Sequence, residues 1–393
     1  MNIAPAAAAT PKEEQLSHTQ PSSTMKPTIF RATRQAALGA ALLAASLCAT
    51  GAAYAQTYQF IDLGTGSANG INNLGEVVGQ SGMGATLWKG GSELGLVGGL
   101  GGSAAAINNL GQIVGQTVTN GVNSPAMWNG GVLITLNGPI GSYATGINDA
   151  GQIVGGGGNT LFWNHSVNAT QLVSSTGLGY GALGINASGT IVGASANDNT
   201  QSVIATVWKG SNSTLLPYLG SDGYAFAQAF AVNNAGVVVG SSNDGPRSGN
   251  AFAMEWNGST ATELGNLGGA NSYAEAINNA GLIVGSSSTA NGYQEATMWK
   301  GTTAINLNTL LSPTVAAEGW TLQDATGVND KGWIVGDAYN SKTGAYDAFM
   351  LEVSPVPEAD TWAMLLAGIT LVGMIAHFKP TKATDKSSPI EQS

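Results

Sequence analysis

AINNAGLIVG, residues 276–285, decides the fold, because the chain writes it again and again. AINNLGQIVG stands at 106–115, GINNLGEVVG at 70–79 and GINDAGQIVG at 146–155. Aligned on the first asparagine, the series is Asn72, Asn108, Asn148, Asn186, Asn233, Asn278 and Asn329: seven copies, 36 to 51 residues apart. A period of that size belongs to solenoids and propellers.

Four residues before each asparagine stands alanine: Ala68, Ala104, Ala144, Ala182, Ala229, Ala274 and Ala325. Two before it is Gly or Ala, and one before it is Ile or Val. Side chains alternate across a strand, so one face of this strand is nearly flat. Three residues after the asparagine comes glycine: Gly75, Gly111, Gly151, Gly189, Gly236, Gly281 and Gly332. After one variable residue follow Ile or Val, then Val, then a second glycine. Asparagine bonds its own backbone in an Asx-turn and glycine accepts positive φ, so Asn-x-x-Gly between aliphatic pairs predicts a hairpin.

Each unit continues with an element ending in tryptophan at Trp88, Trp128, Trp163, Trp208, Trp256 and Trp299. A fourth follows, aligned on SELG (Leu94), TELG (Leu264) and AINL (Leu307). A lone fourth-strand segment, residues 58–64, precedes the first unit, and the last unit stops after its third strand at 348–353. These pieces add up to one unit. The expected fold is therefore all-β, a seven-bladed β-propeller of four-stranded repeats closed by a split blade, which leaves no free sheet edge. An open solenoid does not explain the split end.

Only 9% of residues are charged, the formal net charge is -10 and there are 57 glycines, a balance that repels phosphates and argues against a nucleic-acid partner. The apolar fraction of 43% with regular aliphatic spacing favours packed β structure over disorder. Cys48 is the sole cysteine and lies in the leader, so the mature chain has no disulfide or thiolate chemistry.

Residues 1–55 read as a secretory signal, with Lys26, Arg31 and Arg34 ahead of an Ala/Leu-rich core and cleavage between Ala55 and Gln56. The pattern places the start of translation at Met25. Residues 56–354 hold the repeats, 355–360 a short motif, 361–378 an apolar helix and 379–393 a lysine-bearing tail. Sixteen uncharged residues, 361–376, rise about 24 Å as a helix and, with Phe378 and snorkelling lysines, just span a bilayer. The lysines stay cytoplasmic and the repeats face outward.

The order Val356-Pro357-Glu358-Ala359, membrane helix, basic terminus resembles the PEP-CTERM sorting signal of Gram-negative bacteria, with Ala359 where the motif has proline. That resemblance implies recognition and cleavage by an exosortase-type membrane protease and delivery to the cell surface or exopolysaccharide matrix. A plain membrane anchor is the alternative. The repeat pattern, with its tryptophan strand (Asn250-Ala251-Phe252-Ala253-Met254-Glu255-Trp256) and turns such as Leu264-Gly265-Asn266-Leu267-Gly268-Gly269, resembles the HAF family of probable extracellular repeats. That implies a bacterial exported protein with no catalytic residues to carry across.

The chemistry of the body is sparse. His165 is its only histidine, in a turn after Trp163, so neither a catalytic triad nor a histidine metal cluster is expected, and no cofactor. The position three before each asparagine reads Asn69, Ala105, Thr145, Leu183, Phe230, Glu275, Thr326, which is no uniform acidic ring. Glu275 with Asp324 is the pair to consider for glycan hydrolysis, and Tyr180, Tyr224, Tyr273 and Tyr293 for sugar stacking. The expected role is non-enzymatic, in the extracellular matrix.

Overall fold

The computed structural model describes residues 57–197, 200, 202–220, 226–243 and 249–354. The leader with its Ala55–Gln56 junction, the motif Val356, Pro357, Glu358 and Ala359, and the C-terminal apolar segment lie outside the described residues.

Each hairpin forms as the pattern dictates. The asparagine N–H donates to the carbonyl four residues on, and the glycine N–H returns to the asparagine carbonyl. The glycines at the third position have φ of +73 to +85°, a region where a Cβ is strained. In six of the seven copies, Asn72, Asn108, Asn186, Asn233, Asn278 and Asn329, the side-chain oxygen accepts from the main-chain N–H groups two and four residues ahead. At Asn148 the bond from Gln152 is present.

The described residues are all-β but for two short helical pieces, and are built as four-stranded antiparallel units; the sixth pairs Gly268–Ile277, Ile283–Thr289, Gln294–Lys300 and Thr303–Asn306 in that order. Two joins merge neighbouring units into longer sheets. Only Ser175 and Thr176 separate the last strand of the third unit from the first of the fourth, so Val173 and Ser174 pair directly with Leu178 and Gly177. At the other join, the strand Thr57–Ile71 pairs through residues 57–65 with Tyr346–Ser354 and through 66–71 with Val77–Ser81. The two ends of the described body thus share one ladder. The sixth connector carries a 3-10 turn, Leu307–Leu310, and a helix, Pro313–Ala317, capped by the Ser312 hydroxyl. These two short helical pieces were not expected from the sequence.

The core repeats with the units. The seven alanines are 0–2% exposed, and the six tryptophans 0–4%. The second glycine of each unit lies over a neighbouring backbone: a Cβ on Gly240 would collide with the Gln228 carbonyl, and the six counterparts meet the same obstacle. Small residues here permit backbone approach.

One expected alignment is corrected. Leu94 is exposed, and the first-unit counterpart of buried Leu264 is Leu96, whose N–H bonds Ala85 as that of Leu264 bonds Ala253. The leucine is set by its distance from the tryptophan, eight residues in both units, and not by the following glycine.

Candidate functional site

The seven asparagines carry the site with the most regular geometry. Each Nδ2 donates to the main-chain carbonyl of the next copy: Asn72 to Asn108, Asn108 to Asn148, Asn148 to Asn186, Asn186 to Asn233, Asn233 to Asn278, Asn278 to Asn329, and Asn329 back to Asn72, at 2.9–3.3 Å. The cycle is closed and its asparagines are buried. Sequence predicted turn residues at these positions; what it did not reveal is the second hydrogen bond, from the amide nitrogen to the neighbouring unit.

Above this cycle the next residues form a second, more exposed one. Asn73 N–H donates to Asn109 Oδ1, Asn109 to Asp149, Ala187 to Asn234, Asn234 to Asn279, Asn279 to Asp330 and Asp330 to Asn73. The run breaks after Asp149, where Ala187 offers no acceptor. Partial burial pushes the Asp330 carboxyl up, but bonds from the Asn279 main chain and the Asn73 and Asn279 side chains outweigh it and hold Asp330 below the usual carboxylate range. Both cycles line an open depression of about 200 Å³. Ala187→Asn supplies the missing acceptor, so it should raise stability in urea unfolding by about 0.5–1.5 kcal/mol; an unchanged or lower midpoint would mean that the gap is not a missing link.

Glu275 and Asp324 are brought together, and Asp337, paired with Asp324 across adjacent strands, joins them. Burial, then the charges of Asp324 and Asp337, push the Glu275 carboxyl up to about 8. Burial raises Asp324 to about 6 against a bond from Ser286 and one from the Ala325 main chain. Asp337 is pushed to about 6 by burial and by Asp324, although the Ala68 N–H and the Ser67 side chain bond it. Asp324 Oδ1 is buried with no hydrogen-bond partner among the described residues. Three residues before the cyclic asparagines, Asn69, Thr145 and Thr326 donate to the alanine carbonyl of the next unit. Glu275 holds that position in the sixth unit, and a carboxyl donates only when protonated. Among the described residues no group of three or more His, Cys, Asp or Glu is placed to hold a metal ion.

His165 is exposed in its turn with φ +54°. Tyr180 stands exposed on the fourth unit; Tyr293 is exposed and Tyr273 half-buried on the sixth, and Tyr224 lies outside the described residues. Among the described residues no helix is long and apolar enough to cross a membrane.

Residues 168–353, from the end of the third unit through the seventh, are similar to the family described as "Protein of unknown function (DUF3466)". No curated protein matches the chain.

Proposed function

We propose that this is an exported, non-enzymatic repeat protein of the cell surface or extracellular matrix, its seven units arranged as blades of a closed β-propeller. The closed asparagine cycle supports the circular arrangement, since a linear stack leaves its first and last members without partners. The observation that carries the functional reading is the order of segments: cationic leader, repeat body, Val356-Pro357-Glu358-Ala359, apolar run, lysines. An exosortase-type protease is the partner this order implies, with exopolysaccharide as the surrounding material. Fractionation with intact-mass measurement tests it: the expected mature chain begins at Gln56, ends near Pro357 and is found outside the cell. An intact tail in the inner membrane would overturn the sorting reading.

Glycan hydrolysis is the second reading, favoured by the Glu275–Asp324 pair. With Glu275 held near 8 and Asp324 near 6, one carboxyl is protonated and the other ionised at neutral pH, the division of labour hydrolysis needs. Release of reducing sugars from exopolysaccharide by the native chain, abolished by Glu275→Gln, would establish it; no release by the native chain would sink it.

A further inference from the structure

Five tryptophans share an arrangement that the sixth lacks. The indole N–H groups of Trp128, Trp163, Trp208, Trp256 and Trp299 donate to main-chain carbonyls of Val97, Asn137, Val173, Pro217 and Gly265, at 2.7–2.9 Å. Each acceptor follows a leucine at the end of the preceding unit: Leu96, Leu136, Leu216 and Leu264 directly after its fourth strand, and Leu172 within that strand. Trp88 is 4% exposed and its N–H is buried with no hydrogen-bond partner among the described residues. Trp88 stands at the seam. Before the first unit the chain makes no connector but runs straight from one sheet to the next, and the corresponding stretch, Leu63-Gly64, is a strand bulge with Gly64 at φ +90°.

Trp88 lines a cavity of about 380 Å³ with Ile61, Leu63, Leu74, Trp333 and Met350. Trp333 packs against Gly75, where a Cβ would collide with its ring. A Cβ on Gly64 would meet nothing within 4 Å, so the space beside the bulge is open. Similar cavities beside Trp128 and Trp256 have their N–H groups satisfied by the chain itself. At the rim, Lys89 is paired with Glu76 at 2.5 Å and Lys331 lies over the Trp333 ring, whereas among the described residues Asp62 and Glu93 have no cation partner.

We propose that this cavity binds a peptide segment from another protein, in which a leucine enters beside Trp88, the next main-chain carbonyl accepts the indole N–H, and a neighbouring basic side chain meets Asp62 and Glu93. The chain's own connectors are the template for the apolar residue and the carbonyl; the charge comes from the rim. The reading is independent of export and sorting.

Two capped hexapeptides serve as probes: the sequence of residues 262–267, Thr-Glu-Leu-Gly-Asn-Leu, and the same with lysine replacing glutamate. In indole ¹⁵N–¹H spectra, with the Trp88 signal assigned by its loss in Trp88→Phe, the lysine peptide should shift that signal downfield. It should bind more tightly than the glutamate peptide, by a margin that shrinks with salt. Trp88→Phe keeps an aromatic ring but removes the N–H, and should weaken binding about fivefold, the worth of one hydrogen bond. Leu74→Lys alters an exposed rim residue without disturbing the core and should weaken it at least as much. No shift at millimolar peptide, or binding indifferent to both variants, would overturn the site. A shift caused by N-acetylglucosamine and not by peptide would overturn the peptide in favour of a sugar amide. Equal binding of both peptides at all salt concentrations would overturn the basic flank.

Discussion

Asn186→Ala should destabilise the protein by about 3–5 kcal/mol, a loss on the scale of a buried core truncation. The side chain of Asn186 does several things at once. Its oxygen accepts from the N–H groups of Ser188 and Thr190 and from the Ser188 hydroxyl, and its nitrogen donates to Asn233 in the next unit. At 5% exposure, water does not replace those partners, so alanine leaves buried groups unsatisfied instead of exchanging one bond for another. Asn73→Ala in the outer cycle is the control: that residue is more exposed, and its loss should cost less than about 1 kcal/mol. Asn186→Asp separates the two functions of the side chain. It keeps the acceptor but presents a carboxylate to the Asn233 carbonyl, so it should be nearly as damaging at pH 7 and partly recover in acid, where the protonated group donates again. Urea unfolding of the four proteins measures all of this. Equal small losses for Asn186→Ala and Asn73→Ala would show that the inner cycle carries no particular stability.

The unit was legible in the sequence because its determinants are local. An Asx-turn, a positive-φ glycine and alternation across a strand are set within ten residues, and repetition removes the ambiguity of a single copy. The shared ladder of residues 57–65 with Tyr346–Ser354 was legible too, since the missing fourth strand at one end and the spare one at the other are a matter of counting. Contacts between units were not. Whether the Asn186 amide reaches Asn233 depends on how neighbouring sheets are placed, which a turn motif does not encode. The leucine register failed for a related reason: in the first unit a glycine follows both Leu94 and the connector's Val97, and only pairing with Ala85 identifies Leu96 as the buried one. The pairing of Glu275 with Asp324 was foreseen from their places on the inner strands of neighbouring units, but the participation of Asp337 needed the strand register.

That carboxyl cluster should make the protein most stable in mild acid and weaken it through neutrality. The ordinary value for Glu275 is 4.5, and in the folded chain burial, reinforced by Asp324 and Asp337, pushes it to about 8. Between those limits the folded state keeps a proton that the unfolded chain has released, so stability is fully present below 4.5 and is lost as pH rises through 8. Asp324 and Asp337 act in the same sense between 3.8 and about 6. Glu76 and Asp330 have the opposite sign: burial opposes them, but their hydrogen bonds, and Lys89 beside Glu76, hold both below their ordinary values. Their stabilisation is lost only as pH falls through the acid range, so it does not mask the decline above 5. From pH 5 to 8.5 the titration of Glu275 alone should therefore cost the native protein about 2–4 kcal/mol, and Asp324 and Asp337 add to that loss up to about pH 6. Glu275→Gln cannot ionise and retains a donor where Asn69, Thr145 and Thr326 use one, so it should match the native protein at pH 5 and exceed it by a similar margin at pH 8.5. Parallel stability curves for the two proteins would mean that Glu275 titrates as it does in the unfolded chain. The distinction matters for the hydrolytic reading: Glu275→Gln that gains stability at pH 8.5 without changing any glycan-releasing activity places the residue as a contact between units, whereas loss of turnover with the same gain in stability gives it both roles.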